Sequence, residues 1–309
     1  MKVLLDVRGA GDVRGIGRYV RCLLDGLRAT AAPGDEVVEV QGGRGRSDAD
    51  VFHSPWLDGA LLRAGRPQVV TLHDVVPLKR RREYLRTGVR FRLRYLAVQR
   101  ADVVLVPTRA VADDVAEHLD VPEERLRVVH EAAAPHLGPA SSAAVAELRA
   151  RLELPERFLL WVGGMRHPDP RKRLPELAAA PRDLPLVLVG PTGPWAHDLP
   201  GVRLTGEVSD ADLCAIYGAA HALVLPSDDE GFGLTPVEAL TCGCPVACSD
   251  VPALREVLGD RAAFAPHDDV AGLVRLAESL RHPAPAAPPW TWEDAGRATW
   301  DVYRELAAG

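Results

Sequence analysis

With 309 residues the chain is long enough for about two domains, and a 47% share of hydrophobic residues supplies two ordinary cores. A formal net charge of −6 argues against a nucleic-acid binder, and no apolar run approaches the roughly 20 residues that span a bilayer. Five cysteines, an odd number, leave at least one thiol without an internal partner and point to the cytosol.

The opening stretch, MKVLLDVRGAGD, meets charge too early for a secretory signal and reads as a first strand, KVLLDV. The loop RGAGDVRGIGRYV follows, with Gly9, Gly11, Gly15 and Gly17. Its glycines do not satisfy G-x-G-x-x-G, so no dinucleotide fingerprint is present. A plain linker and a loop that approaches a ligand closely are equally open readings. Residues 17–29 set Tyr19, Leu23, Leu24 and Leu27 on one helical face. Strand-like runs EVVEV, VVTL, DVVLV and LRVV come next, with helical patterns at 86–100 and 109–118.

Across 135–157 the alternation weakens to one helix, and a new strand begins at Phe158. A first domain over 1–150 and a second over 151–290 are expected. The second half offers FLLWVG, LPLVLVG, HALVLP and CPVAC, and a helix over 210–219 groups Leu213, Ile216 and Tyr217. After the Pro-rich stretch HPAPAAPP (282–289), a last amphipathic helix runs over 291–307. Most apolar runs are continuous, as in strands buried on both faces. The class is α/β, with two doubly wound parallel sheets. In such sheets ligands bind beyond the carboxyl ends of the strands.

Two loops at such ends carry chemistry. GGMRHPDPRKRL (163–174) brings Arg166, Arg171, Lys172 and Arg173 behind FLLWV, which suits a phosphate; a solvated basic turn is the plainer reading. SDDEGFGL follows HALVLP. There Thr235, Pro236 and Glu238 match a capping box, with Thr235 as N-cap and Glu238 at the third helical position. Capping explains Glu238 but leaves Glu230 and the Gly231-Phe232-Gly233 turn unexplained. A glycine turn into a helix start suits an anion, and a carboxylate beside it could take sugar hydroxyls.

Metal readings are weak. Cys242, Cys244 and Cys248 lack a paired-knuckle spacing and read as buried small hydrophobes. Asp48-Ala49-Asp50, before a strand, and Asp210-Ala211-Asp212, at a helix start, read as structural. Residues 79–100 hold nine Lys or Arg against one acid, Glu83. A solvated helix face with Phe91, Leu93 and Leu96 partly packed leads; an anionic-lipid surface and a pocket for a phosphorylated or acidic acceptor remain beside it.

The string E-G-F-G-L-x-P-x-E-A-x-x-x-G-x-P-V at 230–246 resembles the signature of glycosyltransferase family 4, retaining enzymes of GT-B fold, and Glu230 and Glu238 meet its E-x7-E spacing. The segment VRLTGEVSDADLCAIYGAAHALVLPS, the pair Arg166 and Lys172 in MRHPDPRK, GIGRYV, VVTLHDVVPL and WTWEDAGRATWDVYREL resemble further parts of that family. The resemblance spans nearly the whole chain. It implies two Rossmann-like domains facing a cleft, an acceptor domain and a donor domain, with a C-terminal segment 291–309 crossing back to the first.

The resemblance also implies roles. Arg166 and Lys172 neutralise the departing diphosphate. Glu230 takes donor-sugar hydroxyls and Glu238 the ribose. The amides of Phe232, Gly233 and Leu234, next to Gly231, touch sugar or phosphates, and Thr235 adds a hydroxyl. Gly206, Glu207 and Val208 lie near the base. Gly15 and Gly17 close on the diphosphate, and His73 faces the transferred sugar. From the residues alone, His73-Asp74 reads as a loop cap; the family resemblance reverses that preference. The chain departs from the family's Asn-Gly at the end of the first domain, where it has VVHEAAAPHL (128–137).

The implied activity is retaining transfer of a hexose-type sugar from a nucleoside-diphosphate sugar to a hydroxyl of a small-molecule, glycan or lipid-linked acceptor. No cofactor, no metal and no nucleic acid are expected. The expected location is cytoplasmic, with peripheral contact at the inner membrane face through the basic segment. A nucleotide-sugar-binding protein without turnover, and a GT-B epimerase or phosphorylase, are the alternatives.

Overall fold

A computed structural model describes residues 1–12, 15–42, 48–80 and 89–308. The chain divides into two compact units, Met1–Pro135 with Trp290–Gly309, and His136–Pro289. In the first, β1 (Lys2–Asp6), β2 (Glu36–Val40), β3 (Val51–Ser54), β4 (Gln68–Thr71), β5 (Val103–Val106) and β6 (Leu126–Val128) form one sheet in the order β2-β1-β3-β4-β5-β6. Every pairing is parallel, with Leu4 opposite Phe52 and Val70 opposite Val104. The inner strands are buried on both faces, whereas edge strand β2 alternates, leaving Glu36 and Glu39 exposed. That pattern is the physical content of continuous against alternating apolar runs.

Leaving β1, the chain builds β2 on one side and then β3 on the other, so the loops after β1 and β3 diverge at a switch point. Helix Gly15–Ala29 buries Tyr19, Leu23, Leu24 and Leu27, as its periodicity predicts. The last helix, Trp292–Ala308, packs along it. Trp300 Nε1 donates to the Leu27 carbonyl at 2.9 Å, and Trp292 Nε1 to the Ala133 carbonyl at 3.1 Å. The C-terminal helix therefore belongs to the first unit.

The second unit holds β7 (Leu159–Val162), β8 (Leu186–Val189), β9 (Val202–Gly206), β10 (Ala222–Leu225), β11 (Val246–Ser249) and β12 (Ala263–Ala265), ordered β12-β11-β10-β7-β8-β9 and all parallel. Its core joins Leu159, Trp161, Leu188, Val224, Leu273 and Val274. β9 and β12 were not among the strands expected from the sequence. β9 is a half-buried edge carrying Arg203 and Gly206, and β12 is only Ala-Phe-Ala, too short and too poor in β-branched residues to stand out. Here the switch point lies between β7 and β10.

The unit boundary falls at 135/136, earlier than the expected 150. Helix Ser142–Arg151 packs on helix Asp210–Ala219 of the second unit, with Arg149 Nη2 donating to the Ala219 carbonyl at 2.8 Å and Arg151 paired with Asp212. Among the described residues no helix is long and apolar enough to cross a membrane.

Candidate active site

In the second unit the two loops flagged by sequence leave the neighbouring strands β7 and β10, at the switch point. They brace each other. The Asp228 amide donates to the Arg171 carbonyl at 2.8 Å. Asp169 caps the short turn Pro170–Lys172, accepting the Arg171 amide at 3.3 Å and its Nε at 3.0 Å. So held, Arg171 Nη1 stands 3.9 Å from Glu230 Oε2, and Arg173 Nη1 stands 3.5 Å from Asp228 Oδ1. Arg173 adopts φ +45, a left-handed conformation that costs of order 1–3 kcal/mol outside glycine. Such strain concentrates where surroundings fix a loop for use.

Lys172 lies between these arginines with Nζ 5.6 Å from the centre of the Trp161 ring. Arg166, whose side chain is 65% exposed, reaches Glu207 only at 4.0 Å, a separation too long to commit its charge. Gly206 ends β9 at φ +74, followed by exposed Glu207 and half-buried Val208. Arg166, Lys172, Glu207 and Glu230 thus lie on loops at one edge of one sheet.

The expected capping box does not form. Helix Leu234–Thr241 begins two residues early, with Gly233 as N-cap at φ +88 and no side-chain cap. Thr235 is its second residue. A proline is tolerated anywhere in the first turn, so Pro236 did not fix the start. Gly233 is required there, because a Cβ would lie 2.4 Å from Leu254 Cδ2 as well as force a left-handed side-chain residue. Glu238 becomes the fifth residue, 5% exposed, and accepts from Tyr217 Oη at 3.3 Å. Gly231 and Phe232 are buried ahead of it. Ser227, fully buried where the β10 loop starts, has no hydrogen-bond partner for its hydroxyl among the described residues. The sequence reading passed over it because a serine before two aspartates looks like turn chemistry.

In the first unit Gly15 opens its helix exposed, and Gly17 is buried against the preceding loop, where a Cβ would fall 1.7 Å from the Asp12 carbonyl oxygen. Tyr19, one turn on, sets its ring edge-on to His73 at 4.5 Å. His73 Nδ1 is 2.9 Å from Glu131 Oε1 and its Nε2 is 3.1 Å from the Pro55 carbonyl. Burial alone would lower the His73 pKa, but the hydrogen bond and charge of Glu131, with the Pro55 carbonyl, raise it above the ordinary value. Asp74 does cap its loop, accepting the Val76 amide at 3.1 Å. Glu131, 3% exposed, was missed by sequence, which registered VVHEAAAPHL only as a departure from a family pattern.

Both D-x-D strings are held within the fold. Lys2 pairs with Asp48 and its amide donates to Asp50, while Asp210 and Asp212 meet His136 and Arg151. Among the described residues no group of three or more His, Cys, Asp or Glu is arranged to hold a metal ion. Cys242, Cys244 and Cys248 are buried free thiols, and burial pushes the Cys244 thiol up to about 12. Of the basic segment, residues 81–88 lie outside the described residues. Arg94 pairs with Asp58 at 2.6 Å, Lys79 with Asp114 at 2.8 Å, Leu96 is half-buried and Leu93 is exposed.

Residues 156–282 match the family described as glycosyl transferases group 1, and residues 44–133 match Glycosyltransferase Family 4. The serotype-specific mannosyltransferase WbdA of Escherichia coli is 31% identical over 275 residues, which cover 77% of this chain and 33% of that protein. The O-antigen chain mannosyltransferase B of Escherichia coli is 28% identical over 291 residues, covering 83% and 74%. HepE of Anabaena, solved with UDP and glucose, superposes with a TM-score of 0.68 at 17% identity over 99% of this chain and 95% of that one. The chain spans only about a quarter to a third of the length of the first curated relatives it matches. The two six-stranded parallel sheets with flanking helices are the GT-B architecture. More particularly, residues 44–133 and 156–282 are similar to family 4 and group 1 glycosyltransferases respectively.

Proposed function

We propose that this chain is a retaining glycosyltransferase that moves a hexose-type sugar from a nucleoside-diphosphate sugar to an acceptor hydroxyl without a metal. One observation carries the reading: the basic loop 163–173 and the Glu230–Glu238 segment brace each other at the switch point of a parallel sheet. Arg166 and Lys172 stabilise the departing diphosphate, whose negative charge grows in the transition state. Glu230 accepts hydroxyls of the donor sugar and Glu238 the ribose. Gly231, Phe232, Gly233 and Leu234 present backbone amides at the start of the helix, and Thr235 a hydroxyl. Gly206, Glu207 and Val208 border the base. Gly15 and Gly17 approach the donor diphosphate, and His73 faces the transferred sugar.

Transfer proceeds on the face the leaving group vacates. The bond from the anomeric carbon to the diphosphate oxygen breaks as the acceptor oxygen attacks the same carbon. The acceptor proton passes to the departing diphosphate, so no side-chain nucleophile is needed. Binding without turnover, and epimerase or phosphorylase chemistry, are the readings this one displaces. The relatives named mannosyltransferases favour mannose as the hexose, and HepE's ligands favour uridine as one base to test.

A thermal-shift panel of guanosine, uridine and thymidine diphosphates and their mannose and glucose conjugates tests the donor site, without metal and then with magnesium. A selective shift without metal is expected. Release of the free diphosphate on adding acceptor, with the anomeric configuration of the product read by NMR, tests transfer. No shift with any conjugate would overturn the reading.

A cytoplasmic protein with peripheral membrane contact also fits. Leu62 and Leu93 are exposed beside Arg63, Arg94 and Arg100 along one open groove. Apolar tips among cations suit an anionic lipid surface. Flotation with phosphatidylglycerol vesicles but not phosphatidylcholine vesicles is the expected result, and equal flotation with both would remove it.

A further inference from the structure

His73 stands between two acceptors. The Pro55 carbonyl can only accept, so Nε2, at 3.1 Å, must carry a hydrogen. On the other side Nδ1 meets the Glu131 carboxyl at 2.9 Å. One proton lies between that nitrogen and that oxygen. A glutamate ordinarily gives up its proton near 4.3 and an imidazolium near 6.5, a difference of about two pH units that leaves the proton on the ring. The charged groups around the ring are few: Glu131 from the segment after β6, Asp74 from its own loop and, from β3, His53, a neutral imidazole. Tyr19 faces it from helix Gly15–Ala29, and burial keeps that phenol protonated. Among the described residues the carboxylates outnumber any cation facing the ring, so the field favours imidazolium.

We propose that Glu131 is a positioning residue that holds His73 doubly protonated, with both N–H groups spent on Glu131 and Pro55, so that the ring is fixed in place and never acts as the base for the acceptor hydroxyl. This rests on the transfer reading in one respect, that His73 faces the sugar. With both nitrogens bearing hydrogen, His73 has no lone pair to receive a proton. The acceptor's proton then has the departing diphosphate as its destination. Glu131 is 3% exposed, and its carboxylate makes the pair electrically neutral, which lets an imidazolium persist behind the sheet.

The test is ¹⁵N NMR of the histidine rings in the full chain from pH 5.5 to 8.5, with His73 assigned by its loss in His73→Gln. Two protonated ring nitrogens through pH 7.5 are expected. Glu131→Gln keeps the shape and removes the charge, and its His73 should lose the Nδ1 proton below pH 7. Glu131→Asp should restore the doubly protonated signature in part. In transfer assays, kcat of Glu131→Gln should fall roughly tenfold at pH 8 and less at pH 6, where the ring can still be protonated, with KM for the donor little changed. A wild-type His73 with a bare nitrogen at pH 7 would overturn the proposal, as would a Glu131→Gln protein whose His73 signals and pH profile match wild type. Failure of wild type to transfer sugar from any donor would instead sink the transfer reading, while the ring signals would still decide what Glu131 does to His73.

Discussion

The two units place polar groups at the same topological position and pair them with different closeness. At the carboxyl ends of the first sheet, charges are consumed internally. Asp6 takes the Arg8 guanidinium at 2.6 Å, and Glu131 takes His73. At the carboxyl ends of the second sheet, close and loose pairs stand together: Asp169 takes Arg171 Nε at 3.0 Å, while Glu230 stands 3.9 Å from Arg171 and Glu207 4.0 Å from Arg166. A close pair is a finished structural interaction, and a loose one leaves field for a ligand. Under the proposed function, the loose contacts of the second unit are the ones left to receive charge.

The largest expected effect tests that contrast at its strongest point. Lys172→Ala should reduce kcat/KM by about 2–4 kcal/mol of transition-state stabilisation, roughly 30- to 1000-fold. Unchanged steady-state kinetics would make the cation one more solvated charge. Glu230→Ala should lower turnover roughly 10- to 100-fold while free nucleoside diphosphate still binds. Loss of nucleotide binding in a folded variant, read by calorimetry, would move Glu230 away from the sugar. Gly233→Ala should cost about 1–3 kcal/mol in urea unfolding, since the helix start admits no Cβ. A neutral result would mean the helix can begin elsewhere.

The first unit supplies a subtler test through a buried histidine, His53, and a half-buried one, His73. His53 sees only hydroxyls, Tyr303 at 2.5 Å and Thr71 at 2.9 Å. Burial, and then the nearby His73, push it down to about 3. His73 sees a carboxylate and moves up. Between pH 6.5 and about 3 the unfolded chain protonates His53 while the folded one does not, so stability falls as the solution is acidified. Above pH 6.5 the folded chain keeps the His73 proton that the unfolded chain loses, so stability present below that pH declines as pH rises. Each slope is at most about 1.4 kcal/mol per pH unit. Urea midpoints at pH 5, 6.5 and 8 should show a maximum in the middle. His53→Asn should flatten only the acid side, and any flattening of the alkaline side would break the assignment. The smallest effect is expected from Tyr217→Phe, about 1 kcal/mol in unfolding, because Glu238 loses one donor.

Much of this was legible beforehand. Continuous apolar runs gave the parallel sheets, and the basic loop and the Glu230 loop were found by their place after FLLWV and HALVLP. The edge strands Val202–Gly206 and Ala263–Ala265 were not, because the first is interrupted by polar residues and the second is a three-residue, alanine-rich piece. The start of helix Leu234–Thr241 was misread because Thr235, Pro236 and Glu238 satisfy a local rule that a left-handed Gly233 overrides. Glu131 was invisible as a partner of His73. The two lie 58 residues apart and meet only when β4 and β6 end at the same edge of the sheet.

The helix Trp292–Ala308 completes the first unit although the whole of the second unit precedes it in the chain. During synthesis, the stretch of helix Gly15–Ala29 that Trp292, Gly296 and Trp300 cover, at Tyr19, Gly26 and the Leu27 carbonyl, must therefore wait uncovered while His136–Pro289 emerges. The second unit can close on its own residues as soon as it leaves the ribosome; the first cannot. The order of maturation is the reverse of the order of translation, and a stop codon shortly after Pro289 would damage the half of the protein that was made first.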